Sequence, residues 1–290
     1  MRPFEYYSPK TLVEACELLK DSGHRCRILA GGTDVLVEMR RPASESPSSI
    51  VDIGRIDALR GIKASGDYIV IGPLTTHDEI FRSQLVAQYA PLLRKAVSTI
   101  GSPQIRNRGT IGGNIMNAAA CADTVPPLLI LNARLKLTSA AGAREVALAD
   151  FFVKPYVTVA RRDEILTEIL FKKLTAEMRG SFVKLGRRSA LSIARLSVAA
   201  LLKMNRGGTI DEARIVPGAT FSAWKRVKEA EQLLIGQKPS KEVFQKAGIK
   251  VSEVMISQTG RRWSTEYKEP VIAVLVKRVL EQCLSAEVAS

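Results

Sequence analysis

Two glycine pairs are the residues of this sequence with the clearest capacity for binding chemistry. Each follows a short apolar segment and has a threonine and an acidic or amide residue close by: Gly31-Gly32 with Thr33 and Asp34, and Gly112-Gly113 with Thr110 and Asn114. Glycine lets a backbone N–H approach an anion closely, and a helix N-terminus adds partial positive charge. The pairs together predict a pyrophosphate cradle, although an ordinary tight turn explains either pair alone.

Other kinds of site find no support in the residue pattern. The sequence contains neither GxGxxG nor GxxxxGK[ST], so it lacks the Rossmann fingerprint and the P-loop. Only His24 and His77 are available as histidines, which argues against histidine metal sites and a Ser-His-Asp triad. The four cysteines form no CxxC and are interpreted as reduced structural thiols: Cys16, Cys26, Cys121 and Cys283.

The charge distribution points to an anionic partner. The net charge is +14, and residues 80–122 and 179–210 contain no acidic residue. Nucleic acid, an acidic protein and a phosphorylated cofactor would each satisfy such an excess, and a solvated basic face is the alternative for either stretch. Aromatic residues make up only 6%, and no helix-turn-helix or zinc pattern occurs, which argues against nucleic acid.

Local patterns predict the elements that position the glycine pairs. In the first half we expect helices over 9–21, 33–39, 91–100 and 125–131, and a capping box over 76–79 that opens a further helix. We also expect strands over 27–30 and 50–53, hairpins around 65–67 and 140–142, and an irregular functional loop over 101–114. In the second half we expect strands over 193–204 and 210–219, followed by helices over 223–235, 241–255 and 270–284.

The length of the chain and the different element patterns of its two halves predict two domains. We expect one domain over residues 1–176, itself split into two lobes near 57, and a second over 177–290. No apolar run approaches a membrane span, and the start of the chain does not resemble a signal peptide, so a cytoplasmic protein is expected.

The motifs resemble those of a known family. Ala30-Gly31-Gly32-Thr33-Asp34, together with Ser102-Pro103-Gln104-Ile105-Arg106-Asn107 and Thr110-Ile111-Gly112-Gly113-Asn114, is similar to the flavin loops of the FAD-binding medium subunit of molybdenum hydroxylases. That family includes xanthine, carbon monoxide and nicotinate dehydrogenases and aldehyde oxidoreductases. The resemblance covers essentially the whole chain, with Asp123 and the segments 182–188 and 231–234 in matching places.

This resemblance implies the fold and the site. The fold would be α+β: a two-lobed FAD-binding domain of the PCMH type, followed by a C-terminal domain with a small antiparallel sheet and a three-helix cluster. The implied cofactor-binding residues are Leu29, Ala30, Gly31, Gly32, Thr33, Asp34, Val35, Thr110, Ile111, Gly112, Gly113, Asn114, Asp123, Leu166 and Lys184.

The resemblance also implies a role for three of these residues. Asp123 would accept hydrogen bonds from ribityl or ribose hydroxyls, with capping of the helix near 125 as the alternative. Leu166 would bring its backbone against the isoalloxazine, with core packing as the alternative. Lys184 would reach the flavin from the C-terminal domain.

The implied function is electron transfer within a complex. A large subunit would hydroxylate the substrate at a molybdenum cofactor, a small subunit would carry two [2Fe–2S] clusters, and this chain would pass electrons through noncovalent FAD to NAD, a quinone, ferredoxin or oxygen. A dimer of heterotrimers is implied, with no metal ligand or catalytic residue on this chain. A basic nucleic-acid-binding protein and a stand-alone flavin oxidase are the alternatives. The cysteine cluster of 4-hydroxybenzoyl-CoA reductases is missing from the sequence.

Overall fold

A computed structural model describes residues 3–21, 25–40, 47–188, 190–261 and 263–285. Its strands are β1 Glu5–Tyr7, β2 Cys26–Leu29, β3 Ser49–Asp52, β4 Ile62–Ser65, β5 Tyr68–Ile71, β6 Arg134–Ser139, β7 Gly142–Ala147, β8 Phe152–Lys154, β9 Val157–Thr158, β10 Ile165–Lys172, β11 Met178–Leu185, β12 Leu196–Met204 and β13 Ile210–Gly218. Its helices are α1 Leu12–Asp21, α2 Val35–Glu38, α3 His77–Arg82, α4 Gln84–Tyr89, α5 Pro91–Ser98, α6 Pro103–Arg106, α7 Ile111–Asn117, α8 Val125–Ile130, α9 Lys228–Gln232, α10 Lys241–Thr259 and α11 Thr265–Ser285.

The first sheet is small and parallel, and it positions the first glycine pair. β3 lies between β1 and β2, with Ile28 opposite Val51. α1 begins at Leu12 rather than at the predicted residue 9, and the Glu14 N–H donates to the Thr11 hydroxyl at 3.2 Å. The first glycine pair follows β2 directly and leads into the short helix α2. His24 lies outside the described residues.

The second sheet is antiparallel and holds the main core of the molecule. Its strand order is β4-β5-β10-β6-β7, and both predicted hairpins are present as β4–β5 and β6–β7. β10 returns between the hairpins and joins them. The capping box predicted at residue 76 is confirmed: Thr76 accepts from the Glu79 N–H at the start of α3, and the Glu79 side chain accepts from Thr76 in return.

The third sheet joins the two halves of the chain. β11, β12 and β13 form an antiparallel sheet, and β12 is buried on both faces. Ala199 and Leu201 pack into the main core, whereas Val198, Ala200 and Leu202 pack against α10 and α11. This alternation explains why the predicted strand reads as an unbroken apolar run. The expected α+β fold is confirmed.

Several element predictions need correction. The loop expected over 101–114 contains α6 and the start of α7, which are too short to show helical periodicity. α9 is only Lys228–Gln232 because the preceding segment is extended: Val227 N–H donates to the Ile215 carbonyl at 3.0 Å, and Trp224 is buried in the core. β12 begins at Leu196 rather than 193, and α11 begins at Thr265 rather than 270. Strands β1, β8, β9, β10 and β11 were not predicted.

The described residues include no helix that is long and apolar enough to cross a membrane.

Candidate functional site

A cavity of about 340 Å³ brings together three of the predicted site residues: Asn114, Asp123 and Lys184. This volume lies in the range typical of small-molecule sites. Asn114 comes from α7, Asp123 from the turn before α8, and Lys184 from β11. The remaining wall is formed by Ile100, Gly101, Ser102, Ile105, Cys121, Leu191, Ser192 and Ile193. The cavity therefore combines residues from both sides of the boundary predicted near 176.

A buried ion pair lies in the wall of the cavity. Lys184 Nζ donates to Asp123 Oδ2 at 2.6 Å and to the Thr99 carbonyl at 3.0 Å. The two side chains are only 8% and 6% exposed. Burial raises the pKa of Asp123 to about 6, although Lys184 acts in the opposite direction. The second carboxylate oxygen, Oδ1, is buried and has no hydrogen-bond partner in the described structure.

This arrangement argues against one of the two interpretations of Asp123. Thr124 occupies the N-cap position of α8, and no side chain makes a capping hydrogen bond to that helix. Capping is therefore wrong as the role of Asp123, because its carboxylate turns to Lys184 instead. An unpartnered buried oxygen costs free energy, so Oδ1 is an acceptor available to a ligand donor.

Cys121 and Asn114 contribute two further polar groups to the cavity wall. Asn114 Oδ1 accepts from the Thr124 hydroxyl at 2.7 Å, which leaves the amide nitrogen of Asn114 as its remaining donor. Burial raises the pKa of the Cys121 thiol, and the charges of Asp123 and Asp34 raise it further. The raised pKa favours the protonated thiol of Cys121, which is less nucleophilic than the thiolate.

The second glycine loop is fastened to residues 73–77 by its main chain. Ile111 N–H donates to the Thr75 carbonyl at 3.0 Å, and Gly112 N–H donates to the Pro73 carbonyl at 2.9 Å. Gly113 N–H donates to the Thr110 hydroxyl at 3.1 Å. Of these three amides, only that of Gly113 donates to a side chain. A rotation of the Thr110 side chain would free this amide for a ligand.

The amides of the first glycine loop find no acceptor in the part of the chain that the structure describes. Among the described residues, none of the N–H groups of residues 31–34 donates a hydrogen bond. A Cβ on Gly31 would lie 2.0 Å from the Arg108 carbonyl oxygen, so the two glycine loops touch at this point. Gly32 has a φ of +78°, which favours glycine. The first loop is thus the more open of the two predicted amide cradles.

The other predicted residues lie outside the cavity wall. Leu166 is 3% exposed on β10 and packs in the main core, in line with the core-packing alternative for its side chain. Its partner across the sheet is Leu137, and the strand register shifts between Leu166 and Glu168. The cavity described above is not lined by Leu29, Ala30, Gly31, Gly32, Thr33, Asp34, Val35, Thr110, Ile111, Gly112, Gly113 or Leu166.

Sequence reasoning missed the apolar part of the wall. Ile100, Ile105, Leu191 and Ile193 carry no chemical signature, because an isoleucine in a loop looks the same whether it lines a cavity or packs on a neighbour. Ile105 falls within the irregular loop that the sequence marks as functional, which was the one available signal.

Comparisons with known proteins decide the family. Residues 2–171 match the family described as the FAD binding domain in molybdopterin dehydrogenase. Residues 181–283 match the family described as the CO dehydrogenase flavoprotein C-terminal domain. The chain belongs to the FAD-binding medium subunits of the molybdenum hydroxylases. It is accordingly an oxidoreductase subunit, as the resemblance of its glycine motifs implied.

Relatives match this FAD-binding subunit from end to end. The glyceraldehyde dehydrogenase medium chain of Sulfolobus acidocaldarius is 33% identical over 96% of this chain and 98% of its own length. The nicotinate dehydrogenase FAD-subunit of Eubacterium barkeri is 30% identical over 98% of this chain and 97% of its own. Carbon monoxide dehydrogenase from Hydrogenophaga pseudoflava, in a form lacking the Mo-pyranopterin moiety of the cofactor, superposes with a TM-score of 0.90 at 31% identity, covering 98% and 99% of the two chains.

The residues of this FAD-binding subunit suit the cofactor. FAD offers hydroxyl donors on its ribityl and ribose groups, and Asp123 Oδ1 is a buried acceptor that lacks a donor. The open amides of residues 31–34 match the acceptor oxygens of a pyrophosphate. The apolar walls at Ile100 and Ile105 suit a flat aromatic ring. Within the described residues, no cluster of histidine, cysteine and acidic side chains could hold a metal ion.

Proposed function

We propose that this chain binds FAD noncovalently in the cavity and relays electrons from two [2Fe–2S] clusters on a small subunit to an external acceptor. Hydroxylation of the substrate would take place at a molybdenum cofactor on a large subunit. The observation that carries the proposal is the buried Oδ1 of Asp123, which has no hydrogen-bond partner among the described residues and lies beside Lys184 in the cavity wall.

Different residues of the chain would bind different parts of FAD. The amides of residues 31–34 would donate to the pyrophosphate, and Gly113 would add its amide once Thr110 rotates. Asp123 would accept from a hydroxyl of the cofactor while Lys184 keeps that carboxylate charged. Lys184 uses two of its three protons on Asp123 and Thr99, so one donor remains for a flavin oxygen.

The bound FAD would supply the capacity to accept two electrons and to release them to another carrier. What the protein adds is electrostatic. A lysine whose charge is largely offset by a buried carboxylate gives a hydrogen-bond donor without a full local positive charge. The apolar walls at Ile100 and Ile105 restrict water around the ring.

The position of His77, the histidine that the structure describes, supports noncovalent attachment. His77 is 3% exposed, and its backbone N–H donates to the Gly109 carbonyl at 3.0 Å, beneath the second glycine loop. Burial and then the charge of Arg106 lower the pKa of His77 to about 4. A histidine in that place packs against Gly109 and is not part of the cavity wall.

Reconstitution tests the proposal directly. The purified chain is incubated with FAD, freed of unbound flavin, denatured and filtered. We expect one flavin per chain before denaturation and all of it in the filtrate afterwards. Asp123→Ala should bind more weakly, whereas Asp67→Ala, at the β4–β5 hairpin, should bind as the unchanged chain does. Flavin retained on denatured protein, or no flavin bound at all, would contradict the proposal.

The subunit arrangement needs a separate test. Native extract separated by size should carry this chain in a complex with a large molybdenum subunit and a small iron–sulfur subunit. A lone monomer that is fully active in substrate oxidation would show the proposed division of labour to be wrong.

A further inference from the structure

Large side chains are left exposed on the loop that lines one side of the cavity and on the segment around the start of α11. Trp263, ahead of α11, is 90% exposed, and Ile193 is 74% exposed. Leu191 and Tyr267 are also exposed. The guanidinium of Arg195 lies 5.0 Å from the centre of the Tyr267 ring, which joins the loop before β12 to the first turn of α11. We call Leu191, Ile193, Arg195, Trp263 and Tyr267 the Trp263 patch.

The patch is continuous with the proposed flavin cavity. Leu191 and Ile193 belong both to the patch and to the cavity wall. Their loop is held in place, because the Arg188 guanidinium donates to the Leu191 carbonyl at 2.6 Å and the Arg187 N–H donates to the Ser192 hydroxyl at 2.9 Å. A protein seated on the patch would therefore cover the mouth of the cavity.

The loop side of the patch is positively charged, whereas its α11 side carries the exposed Glu266 next to Tyr267. The segment 179–210, which supplies the loop, contains no acidic residue, and Arg187 and Arg188 are exposed there. On the α11 side, the exposed Arg261 is paired with Glu269 at 3.0 Å. Exposed tryptophan, tyrosine and arginine are the residue types that anchor protein interfaces. A basic surface with an aromatic centre is complementary to an acidic protein surface.

We propose that the Trp263 patch docks a separate, acidic protein that carries a one-electron redox centre and exchanges electrons with the flavin. The proposal rests on the proposed function, because it needs FAD in the cavity. Two carrier molecules would each give up one electron, and both electrons, with two protons from solvent, would end on the FAD. The reverse reaction would discharge the flavin to the same carrier in its oxidised form.

A stopped-flow experiment tests the docking. A reduced plant-type [2Fe–2S] ferredoxin, which is an acidic one-electron carrier of low potential, is mixed with the FAD-loaded chain, and flavin bleaching is followed. We expect the second-order rate constant to fall at least about tenfold between about 20 mM and about 300 mM salt, because screening weakens attraction between opposite charges. Trp263→Ser and Arg195→Gln should each lower it about tenfold at low salt.

Matched controls separate docking from flavin chemistry. Val13→Ser removes an apolar side chain of α1 that is 74% exposed, and its rate constant should equal that of the unchanged chain. Reoxidation of the reduced flavin by dissolved oxygen, which needs no docking surface, should be the same in all four proteins. If FAD does not bind, the proposed function fails; if FAD binds and the Trp263→Ser and Arg195→Gln rates match that of Val13→Ser, the docking proposal fails.

A second measurement asks what covers the patch in the complete complex. Hydroxyl-radical footprinting reads oxidation of Trp263 in the holoenzyme with and without oxidised ferredoxin. We expect Trp263 to be oxidised readily in the holoenzyme and to be protected at least about threefold by ferredoxin. Protection already present without ferredoxin would assign the patch to a fixed subunit. Protection by NAD in place of ferredoxin would assign it to a dinucleotide. Either result would overturn the proposal, and so would the absence of protection by ferredoxin.

Discussion

At the scale of single residues, the four glycines of the two pairs serve different purposes. Gly31 permits the contact with the Arg108 carbonyl, and Gly32 supplies a positive φ. Gly112 permits close approach to Pro73, because a Cβ there would lie 2.4 Å from the Pro73 Cβ. Gly113 is helical and meets only the Thr110 hydroxyl, at 2.9 Å. The two Gly-Gly pairs look identical in the sequence, but their glycines meet three different steric requirements. These are close approach of another segment, a positive φ and contact with a side chain.

Gly31→Ala should weaken FAD binding at least about tenfold, which corresponds to about 1.4 kcal/mol. The added Cβ cannot lie 2.0 Å from a carbonyl oxygen, so the first loop must move away from the second. Flavin fluorescence quenching measures the affinity. Gly207→Ala is the matched control, because its Cβ would meet nothing closer than 3.4 Å. Equal affinity in Gly31→Ala and the unchanged chain would show that the loop contact does not matter for the cofactor.

Asp123 should make FAD affinity depend on pH. Its pKa in the folded chain is raised to about 6, so the carboxylate becomes protonated as the pH falls through that value. A hydroxyl donor binds the ionised carboxylate better, and affinity should therefore fall by up to about tenfold per pH unit below 6. His77 cannot cause this change, because its pKa is lowered to about 4 and it stays neutral.

Asp123→Asn should bind FAD more weakly at pH 8 and lose the pH dependence between pH 8 and 5. Titrations with FAD at several pH values measure both effects. Without FAD, the sign for stability is opposite: a carboxyl whose folded pKa is raised stabilises the fold below its ordinary pKa and loses that contribution as the pH rises through about 6. A pH dependence that survives in Asp123→Asn would assign it to another group.

At the scale of elements, α7 depends on its first residues. Thr110 caps the helix, since Gly113 N–H donates to its hydroxyl, and the backbone bonds to Pro73 and Thr75 fix the direction of the helix. An antiparallel bridge between Thr76 and Thr110 completes this attachment. α3 and α7 are thus both anchored at the same short segment, which lies beneath the proposed cofactor loops.

Thr110→Ala should lower the free energy of unfolding by about 0.5–2 kcal/mol, the usual cost of losing a helix N-cap. Thr110→Ser keeps the hydroxyl and should stay close to the unchanged chain. Urea unfolding followed by circular dichroism measures the difference. If alanine and serine at this position are equally stable, the hydroxyl does not cap α7 in solution.

Sequence patterns predicted the elements whose signals are local. The capping box at Thr76, the hairpin at residues 65–67 and the start of α5 at Pro91 depend on neighbours in the chain, and all three are present. β10 and β11 were missed because what makes them strands is pairing with segments far away in sequence.

The same distinction holds for the candidate site. The two glycine motifs could be found from their residues, and Asp123 and Lys184 only from the family resemblance. Their ion pair spans 61 residues, and no pattern in the sequence indicates that the carboxylate and the ammonium meet. The apolar wall at Leu191 and Ile193 gave no signal, because exposed apolar residues in a loop have no characteristic spacing.

At the scale of the whole molecule, the main core extends across the domain boundary that we propose near residue 176. Phe182, Leu201 and Trp224 belong to the same buried cluster as the residues of the five-stranded sheet. The Trp224 ring lies 4.5 Å from that of Phe152, and Arg214 donates to the Ile130 carbonyl at 2.5 Å. Burial across the boundary couples the proposed domains 1–176 and 177–290.

A fragment of residues 1–176 should therefore be less stable than the full chain. It would expose the side of its core that β11 and β12 cover, and it would lack Lys184 and the loop at 191–193. We expect the fragment to bind a hydrophobic dye, to melt at lower temperature and to hold no FAD. Calorimetry of fragment and full chain measures the difference. Equal melting temperatures would show that the two domains are independent.

The contact between Gly31 and the Arg108 carbonyl constrains how such a subunit can be rebuilt. Neither glycine loop can be exchanged alone, because a graft that shifts one backbone by an ångström collides with the other or opens a gap beside it. The segment 73–77 must travel with them, since it fixes the second loop by three main-chain bonds. The smallest unit that can be transplanted is therefore three stretches of chain moved together. A chimera that receives only one motif would have the sequence of that motif without its backbone conformation.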